Sequence, residues 1–221
     1  MRKANSVIYK NVVIGKNAEI GDFVIIGLAP RGKKNGEVKT IIGDNVILRS
    51  HTIIYAGNII GDNFQTGHNV MVRENNSIGD NVSIGTSSVI EHHCQFSDGV
   101  RVHSQVFICE YSILEDGCWI GPNAVFTNTL HPLCPLAKEC LKGPVIKRNA
   151  KIGANCTILP EVTIGENALI GAGSVVVKDV ARNTVAVGNP ARRVKDVASL
   201  TCRYGLVNKP YALNEQRMER G

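Results

Sequence analysis

The sequence predicts an all-β fold in which short strands wind around one axis, as in a parallel β-helix. A large aliphatic or aromatic residue stands at every sixth position from Ile8 to Ile26, from Ile42 to Phe126 and from Ile146 to Val176. Only Thr66 breaks this rule, and Gly-x-Asn often follows the apolar position, as in Ile42–Asn45. A six-residue period requires a short extended run and a turn repeated with the same geometry, which neither an ordinary helix nor a meandering sheet provides.

Three six-residue segments form one triangular coil, and the length of the repeat predicts about eight coils. Gly and Asn are expected at the turns because both tolerate positive φ. Two residues before each apolar position lies a second inward position, which is expected to be buried and is often small. Its members include Ala18, Thr52, Ser88, Cys94, Ser112, Cys118, Ala124, Ala150, Cys156, Ala168 and Ser174.

Two insertions, residues 28–40 and 127–144, interrupt the repeat. The coil length places the apolar positions before both insertions on one face, so both loops are expected to leave the same edge of the prism. The first loop is predicted to be flexible and basic, and loops on a rigid scaffold often carry binding residues. We expect a repeat domain over residues 1–180 and a C-terminal cap and tail over residues 181–221.

A column of polar side chains is predicted two residues beyond the apolar positions of that face. Glu74, His92, Glu110 and Asn128 would follow one another at a spacing of ~4.8 Å. Such a concentration of titratable groups predicts a functional site, and a solvated outer edge is the structural alternative. His131 follows Asn128 in the second loop and is expected nearby.

A neighbouring column contains His68, Ala154 and Ala172. His68 accompanies Thr66, the polar core position, which predicts either a ligand-facing spot or a local distortion.

The cysteines divide mainly into two kinds. Cys94, Cys118 and Cys156 occupy small inward positions and are expected to be inert core residues. Cys134 and Cys140 lie with His131 in the second loop, and Cys202 is available from the tail. A free or disulfide-linked loop is expected, with a zinc site as the alternative.

Composition is consistent with one repeat domain and a tail, since the chain has 221 residues, of which 43% are hydrophobic. No apolar run approaches the ~18 residues of a membrane span, and no signal-peptide core precedes the first repeat, so we expect a cytoplasmic protein. The net charge is +6, with much of it after Ala181. Basic and aromatic residues are not interleaved, so we expect a phosphate-attracting end and no nucleic-acid partner.

These motifs resemble the hexapeptide-repeat acyltransferases, whose fold is a left-handed parallel β-helix, over about residues 8–193. The left hand is implied by the resemblance alone, because parallel crossovers are otherwise right-handed. Phe126-Thr127-Asn128 is similar to bacterial nucleotide-sugar N-acetyltransferases, in which an acidic residue one coil earlier matches Glu110. His131-Pro132 is similar to maltose and galactoside acetyltransferases, whose loop histidine is the general base. Gly188-Asn189-Pro190-Ala191-Arg192 is typical of the superfamily.

The resemblance implies transfer of an acetyl group from acetyl-CoA to the amine of a nucleotide-linked sugar, with no metal, by a homotrimer with active sites between subunits. O-acetylation of the maltose or galactoside type is the alternative. The expected catalytic residues are His131, Asn128 and Glu110, and the expected acceptor-binding residues are His92, Glu74 and His68. Coenzyme A is expected in a groove beside the polar column, against Gly153, Ala154, Gly171, Ala172, Lys178, Arg192 and Arg193.

Two other classes of protein fit the sequence less well. A γ-type carbonic anhydrase would use three histidines on a metal, but the histidines here do not match the His-x4-His pair of that family. Five of the six histidines are available for such a site, namely His68, His92, His93, His103 and His131. A non-catalytic scaffold would not need the polar column, the His-Pro loop and the Asn-Pro-Ala-Arg end together.

Overall fold

The computed structural model describes residues 5–211, which form a prism of stacked triangular coils. Each complete coil contributes one strand to each of three sheets, and successive coils pair in parallel with a register of 18 residues, as in Met71 with Val89. The sequence predicts this period and the three faces correctly. The parts of the predicted domains at residues 1–4 and 212–221 lie outside the described residues.

The described chain builds sheets of nine, eight and ten strands, which we call the nine-, eight- and ten-stranded faces. The nine-stranded face contains β1 (Val7–Ile8), β4 (Ile25–Leu28), β7 (Ile53–Tyr55), β10 (Met71–Val72), β13 (Val89–Ile90), β16 (Phe107–Ile108), β19 (Val125–Phe126), β22 (Thr157–Ile158) and β25 (Val175–Val176). The eight-stranded face contains β2 (Val12–Ile14), β5 (Thr40–Ile42), β8 (Ile59–Ile60), β11 (Ser77–Ile78), β14 (Gln95–Phe96), β17 (Ile113–Leu114), β20 (Val145–Ile146) and β23 (Thr163–Ile164). The ten-stranded face contains β3 (Glu19–Ile20), β6 (Ile47–Leu48), β9 (Gln65–Thr66), β12 (Ser83–Ile84), β15 (Arg101–Val102), β18 (Trp119–Ile120), β21 (Lys151–Ile152), β24 (Leu169–Ile170), β26 (Thr184–Val187) and β27 (Arg192–Asp196).

The core runs along the axis of the prism. The repeat positions from Ile20 to Val176 are buried, whereas Ile8 and Ile14 are partly buried at the first coils. The small inward positions are buried beside them except Ala18, which is partly buried at the first coils. The predicted core placement of Cys94, Cys118 and Cys156 is confirmed.

Thr66, the polar core position, is held by hydrogen bonds within the fold. Its hydroxyl lies 3.0 Å from that of Thr52 and accepts the backbone N–H of Arg49 at 3.1 Å. The Arg49 guanidinium donates to the Thr66 carbonyl at 2.7 Å. These bonds account for a buried hydroxyl here without a ligand.

The turns confirm the prediction for asparagine and, at Gly57, Gly99 and Gly117, also the one for glycine. The asparagines of the Gly-x-Asn motifs adopt positive φ, for example 56° at Asn45 and 57° at Asn63. The glycines of these motifs do not. A Cβ on Gly43 would instead collide with Asp62 and the backbone of Gly61 in the next coil, so the absence of a side chain permits close stacking of the coils.

Both insertions leave the nine-stranded face and return to the eight-stranded face, as the coil arithmetic predicts. The second contains a short 3₁₀ helix, Ala137–Cys140. At the C-terminal end, β26 adds a parallel strand beside β24, and β27 pairs with it antiparallel before the 3₁₀ helix Val197–Ser199. The parallel sheet thus continues to Val187, and the division at residue 180 stays a proposal. No helix among residues 5–211 is long and apolar enough to cross a membrane.

Aspartates form a column at the corner between the eight-stranded and ten-stranded faces. Each carboxylate accepts a backbone N–H from the preceding coil, for example Asp62 N–H to Asp80 at 2.7 Å and Asp80 N–H to Asp98 at 2.8 Å. The column also contains Asp44 and Asp116. Its carboxylates repeat every ~4.8 Å, a distance at which like charges repel by roughly 1 kcal/mol or less in water.

We predict opposite effects for two substitutions at Asp80. Asp80→Ala removes the acceptor of the Asp62 N–H and should lower the free energy of unfolding by about 1 kcal/mol. Asp80→Asn keeps an acceptor oxygen and removes one like charge, so it should be neutral or stabilising at low ionic strength, with less benefit in salt. Thermal unfolding at low and high salt measures both. If Asp80→Asn destabilised the protein as much as Asp80→Ala at low salt, the repulsion argument would be wrong.

Candidate functional site

The predicted polar column lies where the nine-stranded face turns toward the eight-stranded face, and we call this edge the ladder corner. Backbone hydrogen bonds join its successive coils, from His93 N–H to the Glu74 carbonyl at 3.3 Å and from Tyr111 N–H to the His92 carbonyl at 3.4 Å. The column comprises Ala56, Glu74, His92, Glu110, Asn128, Pro160 and Lys178.

Glu110 joins its neighbours above and below. One carboxylate oxygen accepts Asn128 Nδ2 at 2.8 Å, and the other lies 3.7 Å from His92 Nε2. The side chains of Glu110 and His92 are 25% and 23% exposed, so both remain accessible from the corner. His92 Nδ1 lies 2.8 Å from His93 Nδ1, and the His92 ring meets Tyr111 edge-on. The predicted residues Glu110, Asn128 and His92 therefore form one hydrogen-bonding and electrostatic group.

A second group, which sequence reasoning missed, surrounds Arg73. Its guanidinium donates to both carboxylate oxygens of Glu74 at 2.9 and 3.0 Å, reaches Glu91 at 3.1 Å and lies 5.2 Å from the ring centre of Tyr55. The same coil arithmetic, applied one residue beyond each apolar position, would have stacked Tyr55, Arg73 and Glu91.

Within the Arg73 group, the pKa values of two carboxyl groups shift in opposite directions. Partial burial would raise the pKa of Glu74, but hydrogen bonds from Arg73 and the backbone outweigh it and leave that pKa below its ordinary value. Partial burial raises the pKa of Glu91 despite the attraction of Arg73, and the charge of Glu110 raises it further. Glu74 is therefore the firmly ionised partner of Arg73.

His131 lies on the exposed second loop. Its carbonyl accepts the Cys134 N–H at 3.2 Å, but among residues 5–211 no hydrogen bond or ring contact joins its imidazole to Glu110 or Asn128. Within one protomer the structure thus brings together two of the three predicted catalytic residues.

The other edge of the nine-stranded face carries the column with His68, Gly153, Ala154, Gly171 and Ala172. In one protomer these residues do not border the ladder corner, although a common groove was expected. His68 Nδ1 lies 2.8 Å from the Ser50 hydroxyl. A Cβ on Gly153 would meet the Ala172 backbone, and one on Gly171 would meet Val187, so packing alone explains both glycines.

The basic residues predicted for the cofactor lie toward the C-terminal end of the prism. Lys178 is exposed on the ladder corner, two coils beyond Asn128. Arg192 and Arg193 are exposed on β27, where Arg193 forms an ion pair with Asp196 at 2.9 Å.

The second loop carries two exposed free thiols, Cys134 and Cys140. No group of three or more His, Cys, Asp or Glu side chains in the described range is arranged to hold a metal ion.

Comparison with known proteins agrees with this architecture. Residues 143–178 match the family described as bacterial transferase hexapeptide (six repeats). A putative serine acetyltransferase of Schizosaccharomyces pombe is 36% identical over 110 residues, covering 50% of this chain and 37% of the relative. The galactoside O-acetyltransferase of Escherichia coli is 40% identical over 93 residues, covering 40% of this chain and 46% of the relative. The chain spans less than half the length of both curated relatives.

A solved UDP-N-acetylglucosamine acyltransferase from Bacteroides fragilis covers 89% of this chain and 74% of its own, with a TM-score of 0.50 and 16% identity. This likeness concerns the fold alone, and the predicted left-handed parallel β-helix is confirmed. The family match and the galactoside O-acetyltransferase relative confirm the resemblance to the hexapeptide-repeat acyltransferase superfamily.

We predict that the cysteines separate sharply in reactivity. Burial raises the pKa of Cys109 to about 11 and that of Cys118 to about 12, and it also raises the pKa of Cys94 and Cys156. Because the thiolate is the nucleophile, these four should resist a maleimide at neutral pH until the protein unfolds. Cys134 and Cys140 should react in the folded protein, which mass spectrometry of labelled peptides would check. Rapid labelling of Cys118 without unfolding would contradict the packing described here.

Proposed function

We propose that the protein is an acetyltransferase that moves an acetyl group from acetyl-CoA to the amine of a nucleotide-linked sugar. The hexapeptide family match and the acetyltransferase relatives support the reaction class. The observation that carries the proposal is the Glu110 carboxylate, which contacts Asn128 and His92 at an accessible corner beside an exposed loop.

The charge of the ladder corner favours an amine acceptor. The ladder corner carries three carboxylates, on Glu74, Glu91 and Glu110, and one guanidinium, on Arg73, which pairs with Glu74 and Glu91. Their excess negative charge attracts an ammonium group and can orient it after it loses a proton. The amine nitrogen then bonds to the thioester carbonyl carbon, the C–S bond breaks, and coenzyme A leaves as a thiol.

The proton of the amine requires a base. A neutral imidazole, with an unperturbed pKa of ~6.5, suits this role near neutral pH. We retain His131 as the proposed base on the strength of the sequence resemblance. Because His131 is exposed and forms no hydrogen bond with Glu110 or Asn128 among the described residues of one protomer, we propose that it acts at the site of a neighbouring copy.

The nine-stranded face supports such an assembly. Eight of its nine outward side chains are apolar, and Val7, Phe107 and Val125 are 42%, 38% and 39% exposed. From the first coil to the last, these side chains are Val7, Ile25, Ile53, Met71, Val89, Phe107, Val125, Thr157 and Val175. A large exposed apolar surface of this kind favours association.

A homotrimer with these faces around its axis would bring one edge of each face to the opposite edge of its neighbour. The ladder corner of one copy would then approach Ala154 and Ala172 of the next. In this arrangement coenzyme A lies between copies, against those small residues and Gly153 and Gly171, with Lys178, Arg192 and Arg193 near its phosphates. We propose this placement of coenzyme A between copies because the two columns lie on separate edges within one protomer.

O-acetylation is the second candidate, favoured by the 40% identity to a galactoside O-acetyltransferase over 93 residues. A screen of acetyl-CoA with amino-sugar nucleotides and with galactosides, monitored by thiol release, separates the two. Turnover with the amines supports the proposal, and turnover with galactosides alone would replace it with the second candidate. If thiol is released with neither class of acceptor, acetyl transfer to sugars is rejected.

We predict that Glu110→Gln and Asn128→Ala impair acceptor use more than folding. Neither change leaves a core cavity, so the free energy of unfolding should shift by no more than ~0.5–1 kcal/mol. The loss of charge or of the amide donor should lower kcat or raise the KM of the acceptor, while acetyl-CoA binding is retained. Steady-state kinetics and melting curves measure these effects.

Glu161→Gln is the matched control, because this carboxylate is 51% exposed and its contact with Lys142 is long, at 3.9 Å. Its kinetics should match those of the wild type. A large drop in melting temperature for Glu110→Gln would make the ladder a structural element and remove the proposed site.

We predict that Phe107→Glu dissociates the trimer, because it would bury a charge in an apolar interface. Ile59→Glu is the control on the eight-stranded face, where Ile59 is 57% exposed. Sedimentation should give the mass of a monomer for Phe107→Glu and of a trimer for the control and the wild type. A wild-type monomer, or a trimer that tolerates Phe107→Glu, would place the interface elsewhere or remove it.

A further inference from the structure

Two adjacent imidazoles, those of His92 and His93, contact each other at the ladder corner, and we call them the histidine pair. Their Nδ1 atoms lie 2.8 Å apart, and the two rings meet edge-on with centres 4.9 Å apart. A hydrogen bond between these atoms requires one Nδ1 to carry a hydrogen and the other to present its lone pair. The contact therefore couples the tautomer of one ring to that of the other.

The outer nitrogen of His92 faces the centre of the candidate site. His92 Nε2 lies 3.7 Å from the Glu110 oxygen that does not bond Asn128. This separation is longer than an ordinary N–H···O hydrogen bond, and a ligand nitrogen between the two atoms can lie ~2.9 Å from both. His93 is exposed, and its ring centre lies 5.6 Å from that of Tyr111. The histidine pair thus has one ring at the site and one at the surface.

An amine acceptor must lose two protons on its way to an amide. An α-amino group has an ordinary pKa of ~7.7–8.0, and an amine of this kind arrives at neutral pH mainly as an ammonium group with three N–H bonds. The amide keeps one of these hydrogens, and the departing thiol of coenzyme A takes another. One proton has to be released, and His131, the proposed base, accounts for only one of the two transfers.

We propose that His92 accepts the first proton of the ammonium group, and that His93 positions His92 for this step by accepting its Nδ1–H. His92 Nε2 then presents its lone pair toward Glu110 and the bound ammonium group. An N–H bond of that group breaks, the proton bonds to Nε2, and the electron pair stays on the amine nitrogen, which attacks the thioester. His92 keeps the proton during the attack and releases it to water after the product leaves. The placement of the amine at Glu110 rests on the proposed function.

The surroundings of the histidine pair favour a positive charge on His92. The titratable and charged groups around the pair are Arg73, Glu74, Glu91, Cys94, Glu110 and Tyr111. Three of them are carboxylates, and the guanidinium of Arg73 is already paired with two of these. Burial raises the pKa of the Cys94 thiol, so this group stays neutral. A charged His92 has an acceptor near each N–H, His93 at one nitrogen and Glu110 at the other, and both stabilise the imidazolium.

The pH dependence of kcat/KM with UDP-glucosamine tests the role of His92. If His92 holds the proton during the attack, wild-type kcat/KM is flat just below the pKa of the amine, because the reacting complex has lost no proton. His92→Gln can use only amine that is already neutral, so its kcat/KM should fall about tenfold for each pH unit below that pKa. Above pH ~9, where the amine is neutral, the two proteins should converge. His131→Ala should stay impaired across the whole range. A wild-type slope equal to that of His92→Gln would overturn the proposal.

Substitutions at His93 separate positioning from packing. His93→Phe keeps a ring beside Tyr111 but removes the acceptor of the His92 Nδ1–H, so kcat/KM should fall at neutral pH and recover in alkaline solution. His93→Asn restores an acceptor oxygen and should keep the wild-type profile. The matched control is His51→Phe, because His51 is also exposed, has a φ of 63° against 59° at His93, and packs on a ring, that of Phe23. The control should follow the wild type. A wild-type profile in His93→Phe, or no recovery in His93→Asn, would reject the positioning role.

Nitrogen NMR of the imidazoles tests the tautomer without the reaction. At a pH where the ring is neutral, wild-type His92 should carry its hydrogen on Nδ1 and none on Nε2, and the signals absent from His92→Gln identify this ring. His93→Phe should move the hydrogen to Nε2, where Glu110 can accept it. A wild-type His92 with its hydrogen on Nε2 would overturn the proposal even if amine acetylation were established. The expected tautomer in a protein that acetylates no amine would reject the proposed function and the proton transfer, while the positioning by His93 would stand.

Discussion

Backbone hydrogen bonds between successive coils determine where almost every side chain of this protein lies. Each coil pairs in register with the next, so a residue has a neighbour 18 positions away and a spacing of ~4.8 Å. The glycines of the repeat permit this close stacking, because a Cβ there would collide with the next coil, as at Gly43. A sequence pattern along the chain thereby becomes a set of straight columns along the prism.

Stacking like residues has different consequences at different corners. The aspartate column bonds to backbone N–H groups and tolerates its repulsion in exposed positions, as Asp62 and Asp80 do. The ladder corner is more enclosed, and there Arg73 sits between Glu74 and Glu91 while Asn128 donates to Glu110. Burial increases the cost of an unpaired charge, so the carboxylates that matter for the proposed chemistry each have a partner.

The proposed site depends on the triangular cross-section. Residues six positions apart in one coil lie on different corners, so Ala154 and Pro160 occupy opposite edges of the nine-stranded face. A ligand that contacts both columns needs the edge of a second copy, and the apolar face between the two columns offers a surface for that copy. The same geometry puts both inserted loops at the ladder corner, because both leave the same face.

The sequence alone determined the period, the three faces, the buried positions and the column containing Glu110 and Asn128. The reason is that a constant number of residues per coil fixes which residues stack on one another. It also predicted which corner carries both loops. Only the tertiary structure revealed that Arg73 bridges Glu74 and Glu91: the spacing stacks Arg73 with Glu91, but the pairing of Arg73 with the adjacent Glu74 depends on side-chain direction. It likewise decided that His131 forms no hydrogen bond with Glu110 or Asn128 among the described residues of one protomer, because no repeat constrains the path of an inserted loop. The conformation of that loop follows from local contacts such as the Cys134 N–H to the His131 carbonyl.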